Sequence, residues 1–334
     1  MRLKGIIVFV ITLFLISCSK REAYMINDGQ VYGTFYHVVY QSPGNRDFHP
    51  EIQEKFRVYT TTFSPFEKES VISKVNKNEP VELSRYFISC FNRALEISEI
   101  TGGAFDITVA PMVNAWGFGF RNKETITGEL IDSLKNITGY MKVKFKDGRI
   151  VKENPNIMLD MSGIAKGYTC DLIGDFLAEK GCENYMVEIG GEVVAKGVNS
   201  EGKTWSIGIT EPEDDNLFGS SELNAIVRLS GKALATSGNY RNFYIEDGVK
   251  YAHTIDPKTG YPVQHSLLSA TVLANDCATA DAYATAFMVM GLEKGIRLSG
   301  EIPDLEVYFI YADESGISKV YYSENFKKSL VVQY

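Results

Sequence analysis

In the run CATADAYATAFMVMG (277–291) a single aspartate, Asp281, stands inside an alanine-rich, otherwise apolar segment. Asp281 and Thr285 are four residues apart, so on a helix they share one face. A carboxylate in such surroundings is poorly solvated and requires a partner. A divalent cation with oxygen ligands is one solution. A bond from a neighbouring backbone group or from the threonine hydroxyl is another, and the segment alone leaves both open.

A second stretch, LDMSGIAKGYTCDLI (159–173), places Asp160, Ser162, Gly163 and Lys166 where a helix begins. These are poor core residues. Asp160 closes a strand, Ser162 can cap the helix and Gly163 leaves the backbone open to close approach. A helix N-terminus favours phosphate, and Lys166 could add a full charge one turn in. A carbonyl near Gly163 could join Asp281 around a cation. Simple capping, with Lys166 pointing to water, explains the same residues.

The third segment is YAHTIDPKTGYPV (251–263). Asp256-Pro257-Lys258-Thr259-Gly260 is turn chemistry. His253, just before it, could act as a general base near neutral pH or serve structure alone. ATSGNYRN (235–242) adds Thr236, Ser237 and Arg241 as possible contacts to an anion, although a strand followed by a turn would also account for them.

Familiar alternatives are missing. No GxxxxGK[ST], GxGxxG, HExxH or GxSxG occurs, and the histidines at 37, 49, 253 and 265 are too scattered for a local metal motif. A net charge of -8 and no basic block argue against a nucleic-acid surface. An anionic ligand must therefore be held by local devices. Cys90, Cys170, Cys182 and Cys277 form no CxxC and no zinc-ligand spacing, and buried free thiols are expected.

The elements that must position these groups follow from pattern. Residues 1–18 combine a basic start, the apolar run GIIVFVITLFLI and a Leu-Ile-Ser-Cys ending, which is expected to be a signal peptide with a lipobox at Cys18. Residues 19–30 are expected to be a polar tether, followed by one domain over 31–334. VYGTFYHVVYQ (31–41) is expected to be the first strand, and apolar spacing at Phe87, Phe91, Leu95 and Ile97 predicts a helix ending at Gly102-Gly103. A hairpin turns at Asp147-Gly148, a helix spans about 162–180, five strand segments follow, then a helix over about 277–292 and a closing hairpin. Strands in series with a few long helices predict an α+β fold with mixed or antiparallel sheets.

Six segments in one order resemble a known family: GAFDITVAP (103–111), LDMSGIAKGY (159–168), EIGGEVVAKG (188–197), ATSGNYR (235–241), HTIDPKTGYP (253–262) and ATADAYATA (278–286). The family is the bacterial flavin transferases, FAD:protein FMN transferases, formerly called thiamine-biosynthesis lipoproteins. The resemblance spans roughly residues 31–330. It implies an FAD cleft between two lobes, with Mg²⁺ held by the Gly163 carbonyl, Asp281 and Thr285. Contacts to FAD are implied for Tyr32, Phe63, Ala104, Phe105, Asp106, Asp160, Lys166, Thr236, Ser237, His253 and Ile255, with His253 and Asp281 catalytic.

The implied reaction passes FMN to a threonine hydroxyl of an extracytoplasmic redox protein, such as a flavin subunit of a sodium-pumping or Rnf-type complex, and releases AMP. The enzyme would be lipid-anchored to a bacterial membrane through Cys18 and face the periplasm. FAD hydrolysis to FMN and AMP, or capture of FAD without turnover, are the alternative expectations. The chain departs from the family pattern at Tyr32, Phe63, Ser162 and Glu188, none of which is an implied metal ligand.

Overall fold

A computed structural model describes residues 22–120, 123–212, 222–239, 243–246 and 248–334. Residues 1–18 with Cys18, and also Arg241, lie outside the described residues. The chain opens with β1 (Tyr24–Val31) and β2 (Thr34–Gln41), followed by α1 (His49–Phe63), α2 (Val71–Asn76) and α3 (Arg85–Ile100). Then come α4 (Ala110–Ala115), α5 (Gly128–Asn136), β3 (Val143–Lys146), β4 (Arg149–Lys152) and α6 (Ala165–Glu179). A run of strands follows: β5 (Tyr185–Ile189), β6 (Glu192–Lys196), β7 (Trp205–Thr210), β8 (Leu223–Leu229), β9 (Lys232–Gly238), β10 (Phe243–Glu246), β11 (Val249–Ala252) and β12 (Leu267–Ala274). The chain closes with α7 (Cys277–Met290), α8 (Leu292–Glu301), β13 (Glu306–Ala312), β14 (Ser318–Tyr322) and β15 (Leu330–Gln333).

Eight strands form the central sheet in the order β1-β2-β5-β6-β9-β12-β13-β14, with antiparallel neighbours throughout. Side chains alternate between its faces. Val38, Tyr40 and Val187 meet Ile52 and Phe56 of α1 and Ile173 of α6 on one side. Val39, Met186 and Leu234 meet Ala225 and Val227 on the other, where β15-β8-β7 forms a second sheet. Both faces are therefore covered, as an α+β layer arrangement requires. A smaller cluster of Met112, Ala115, Trp116, Ile131, Leu134 and Ile255 builds a second lobe from α4, α5 and the segment after β11. Trp116 Nε1–H donates to the Gly260 carbonyl at 2.8 Å and ties α4 to the 256–260 turn. The expected fold class holds.

Some boundaries move. Residues 24–30, expected to belong to a polar tether, lie in the edge strand β1, which pairs with β2 through Tyr24↔Gln41 to Val31↔Thr34, so the strand expected over 31–41 is instead the turn of a hairpin and its second arm. Polar residues fit there because all but one of the β1 side chains are exposed or half-buried. The helix expected from Ser162 starts at Ala165, with Ile164 at its N-cap and no side-chain cap. The helix at 277 runs as expected to Met290, where Gly291 at φ 77 ends it, and a further helix, α8, begins at Leu292. Cys90, Cys170, Cys182 and Cys277 are buried free thiols.

The α7 helix is apolar on nearly all sides because it lies between the sheet and α6. Gly167 makes this contact possible: a Cβ there would sit 2.3 Å from the Cys277 carbonyl oxygen. Asp171, also on α6, accepts the Cys277 and Ala278 N–H groups at 2.8 and 2.9 Å and so closes the start of α7. Burial pushes its carboxyl up to about 8, against the two backbone N–H bonds that favour the charge.

Asp171→Ala strands two buried donors and is expected to cost about 2–4 kcal/mol in denaturant unfolding. Asp171→Asn keeps one acceptor and should cost about 1 kcal/mol near pH 5. The folded carboxyl titrates above its unfolded value of about 4, so ionising it removes stability as pH rises towards 8. The asparagine penalty should therefore shrink over that range, and a constant penalty would count against a raised carboxyl.

Candidate active site

A cavity of about 460 Å³ opens between the two lobes. It collects Ala104, Phe105, Asp106, Asp160, Gly163, Lys166, Thr236, Ser237, His253, Ile255, Asp281 and Thr285 from the sequence expectations. Asp281 and Thr285 come from α7, Gly163 and Lys166 from the entry to α6, Thr236 and Ser237 from the end of β9. His253 follows β11, beside Phe118, at 6.5 Å between ring centroids.

The turn before α6 does its work differently from a helix cap. Ser162 donates both its N–H (2.8 Å) and its hydroxyl (2.5 Å) to Asp160 Oδ1. The donors expected to serve phosphate are largely spent within the protein. The Ile164 and Ala165 N–H groups bond Met161 O, and the Gly167 N–H bonds Asp281 Oδ2 at 3.1 Å. Asp106 is similarly occupied. Its oxygens accept from the Thr108 N–H and hydroxyl and from the Tyr140 N–H, which shapes the 106–140 loops. Burial raises its carboxyl despite those bonds.

Gly163 lies against α7. A Cβ on it would stand 3.0 Å from Thr285 Oγ1 and 3.2 Å from the Phe105 ring. Ser237 Oγ is 3.4 Å from the same threonine oxygen. The Gly163 backbone and the Thr285 and Ser237 hydroxyls thus lie together, and Asp281, one turn before Thr285 on α7, lines the same cavity. Asp281 is 3% exposed, and burial raises its carboxyl against the opposing field of Lys166 and the Gly167 N–H.

Lys166 is not a free cation. Its ammonium pairs with Glu192 Oε1 at 2.6 Å, with side-chain exposures of 27% and 6%. Burial alone would drive its proton off, but the fields of Asp281 and Glu192, with the Glu192 hydrogen bond, outweigh this and hold it charged. Glu192 is pushed up by burial and down by Lys166. The cavity wall therefore carries four carboxylates, Asp106, Asp160, Glu192 and Asp281, against one lysine.

A diphosphate would be repelled by this balance unless a cation came with it. The donor set is all oxygen, which suits Mg²⁺ with most of its shell left to water and phosphate. Among the described residues no cluster of three or more His, Cys, Asp or Glu offers a closed metal cage. Gly163, Asp281 and Thr285 fit the implied Mg²⁺ site through one carboxylate, one hydroxyl and one backbone carbonyl.

Two expected contacts do not reach the cavity. Phe63 is 1% exposed and packs in the core against Phe87 and Tyr168, because α1 turns that side inward. Tyr32 sits at the β1–β2 turn with φ 54, stacks on Tyr59 at 3.7 Å and donates its hydroxyl to Phe56 O. Tyr59 is the ring nearer the charges: burial pushes its hydroxyl up to about 12, and Lys166, Asp160, Asp281 and Glu192 all act on it.

Sequence reasoning missed Glu192. Glu192 had a visible signal, a carboxylate opening the apolar run Val193-Val194-Ala195 directly after Gly190-Gly191. Those glycines take φ 65 and 102 and form the β5–β6 turn that brings Glu192 to the cavity.

Comparison with known proteins bears on this site. A model of the ApbE family matches residues 32–309. A FAD:protein FMN transferase of Vibrio cholerae is 36% identical over 327 residues, covering 95% of this chain and 96% of that protein. One from Haemophilus influenzae is 36% identical over 329 residues, covering 94% of each. The structure of the flavin transferase ApbE from Vibrio cholerae superposes with a TM-score of 0.83 at 36% identity, over 92% of this chain and 99% of that one. The apo flavinyl transferase ApbE of Pseudomonas stutzeri gives 0.82 at 29% identity, over 92% and 96%.

Proposed function

The chain belongs to the ApbE family, and on that premise we propose that it is a Mg²⁺-dependent FAD:protein FMN transferase acting on a threonine of a target flavoprotein. The observation that carries this is the cavity itself, where Asp281 and Thr285 from α7, Gly163 and Lys166 from the entry to α6, and His253 from the segment after β11 line one space. Such convergence is not needed for folding.

In the proposed reaction the threonine oxygen attacks the phosphorus on the riboflavin side of FAD. The bond from that phosphorus to the bridging oxygen breaks, AMP departs with the bridging oxygen, and FMN remains joined to the threonine as a phosphoester. His253 accepts the hydroxyl proton, which an unassisted threonine releases poorly. Phe105 and Ile255 supply apolar wall for the flavin nucleotide, and Thr236 and Ser237 offer hydroxyls to its polar part. Asp281, Thr285 and the Gly163 carbonyl would hold the ion. When bound, magnesium would neutralise the diphosphate and the charge that grows on departing AMP.

The apolar run before Leu-Ile-Ser-Cys supports a further element of the proposal, lipid attachment at Cys18 and an extracytoplasmic site of action. Sodium-pumping or Rnf-type flavin subunits are the corresponding class of target.

The test mixes protein lacking residues 1–18 with FAD and an acceptor domain, with and without Mg²⁺, and follows AMP and the acceptor's intact mass. AMP together with an FMN-sized gain on the acceptor, only with Mg²⁺, is the expected result. AMP with free FMN and an unchanged acceptor would replace transfer with FAD hydrolysis. Bound FAD with neither product would leave an FAD-capturing protein.

A further inference from the structure

Lys166 and Gly167 are adjacent in the chain, and the Gly167 N–H is bonded to Asp281. The ammonium on Lys166 therefore leaves the backbone one residue from the carboxylate expected to hold the cation. It has two acidic partners within reach of its field, and it bonds Glu192 rather than Asp281. Were it to bond Asp281, a resident cation would occupy the oxygens a divalent ion needs.

The pair with Glu192 is not explained by stability. Glu192 is 4% exposed, and its second carboxylate oxygen, Oε2, is buried without a hydrogen-bond partner. Its neighbours on β6, Val193 and Ala195, are core residues. Removing a carboxylate from water and leaving one oxygen unpaired costs free energy that a buried ion pair does not reliably return. An apolar residue would serve the strand at least as well. What Glu192 does offer is a competing anchor for the one lysine on the cavity wall.

We propose that Glu192 is a positioning residue whose ion pair draws the Lys166 ammonium away from Asp281 and so keeps that carboxylate available for a divalent cation. This rests on Asp281 being the cation's carboxylate ligand, as proposed above. Glu192 touches neither the cation nor the reacting phosphate in this scheme. Its effect passes through Lys166, so removing the lysine should remove the need for the glutamate.

The experiment uses quenching of FAD fluorescence by protein lacking residues 1–18, in wild type, Glu192→Gln, Lys166→Met, the double variant and Asp281→Asn. Two quantities are read: the Mg²⁺ midpoint at saturating FAD, and the FAD affinity at saturating Mg²⁺. Glu192→Gln should raise the Mg²⁺ midpoint about tenfold or more while FAD affinity at saturating Mg²⁺ stays within about threefold. The double variant should return the midpoint to within about threefold of wild type.

A wild-type midpoint in Glu192→Gln overturns the inference. So does a midpoint that stays raised in the double variant, or an FAD affinity that falls equally at saturating Mg²⁺, since those results mark a structural or direct-contact role. If Asp281→Asn loses Mg²⁺ dependence while Glu192→Gln keeps the wild-type midpoint, the inference alone falls. If Asp281→Asn keeps full Mg²⁺ dependence, the cation assignment falls and takes the inference with it.

Discussion

Asp281→Asn is expected to lower Mg²⁺-dependent AMP release from FAD by at least about a hundredfold. A metal ion that neutralises phosphoryl charge supplies several kcal/mol of transition-state stabilisation, and each 1.36 kcal/mol is about tenfold in rate. Asparagine keeps an oxygen of similar shape to accept the Gly167 N–H, so the contact between α6 and α7 is retained. It loses the charge. Asp281 is buried, and the change also takes away one of the fields that hold Lys166 protonated. The remaining partner, Glu192, is sufficient to pair that lysine. AMP formation measured over a Mg²⁺ series, beside a thermal unfolding curve, checks the expectation. A variant that folds normally and releases AMP at the wild-type rate would remove Asp281 from the reaction.

The second large effect is expected at His253. His253→Ala should slow FMN transfer by about 10²–10⁴, the range for loss of a general base, while FAD affinity stays within about threefold. The histidine lines the cavity from the segment between β11 and the 256–260 turn. That turn is rigid for local reasons: Asp256 Oδ1 accepts the Lys258 N–H at 2.8 Å, and the Gly260 N–H bonds Asp256 O at 2.8 Å with Gly260 at φ 81. The Trp116 bond to Gly260 fixes the turn to the second lobe. Removing an imidazole from this frame should not move the frame. Single-turnover transfer followed by intact mass, with FAD binding measured separately, distinguishes the roles. Equal loss of binding and transfer would make His253 a binding group, and an unchanged rate would exclude it as the base.

Local chemistry carried far in this chain. The i, i+4 relation of Asp281 and Thr285 needs only a helix, and the capping Asp276, whose side chain accepts the Thr279 N–H at 2.8 Å, starts one at the expected place. The Asp147-Gly148 hairpin and the 85–100 helix, capped by Ser84, are likewise local. Other features were illegible for stated reasons. Ser162 has the composition of a cap, but Asp160 competes for its hydroxyl and N–H, and the helix starts three residues later. Phe63 stands on the inward side of α1, a matter of how that helix rolls against α3 and α6. Residues 24–30 read as part of a tether until pairing with β2 places them in an edge strand.

By itself the sequence determined the supply of chemical groups and their local presentation: a carboxylate and a hydroxyl on one helix face, an open glycine backbone before another helix, and a histidine beside a rigid turn. Tertiary structure alone decided who meets whom. The Gly167 N–H finds Asp281 across 114 residues, and Lys166 finds Glu192 across 26. Ion pairing and desolvation depend on distances between elements, and those distances come from how α6, α7 and β6 pack. Backbone periodicity says which way a side chain points along its own element. It carries no information about which charge will be waiting there, and in this cavity that partner turns a lysine suited to hold phosphate into one held by the protein.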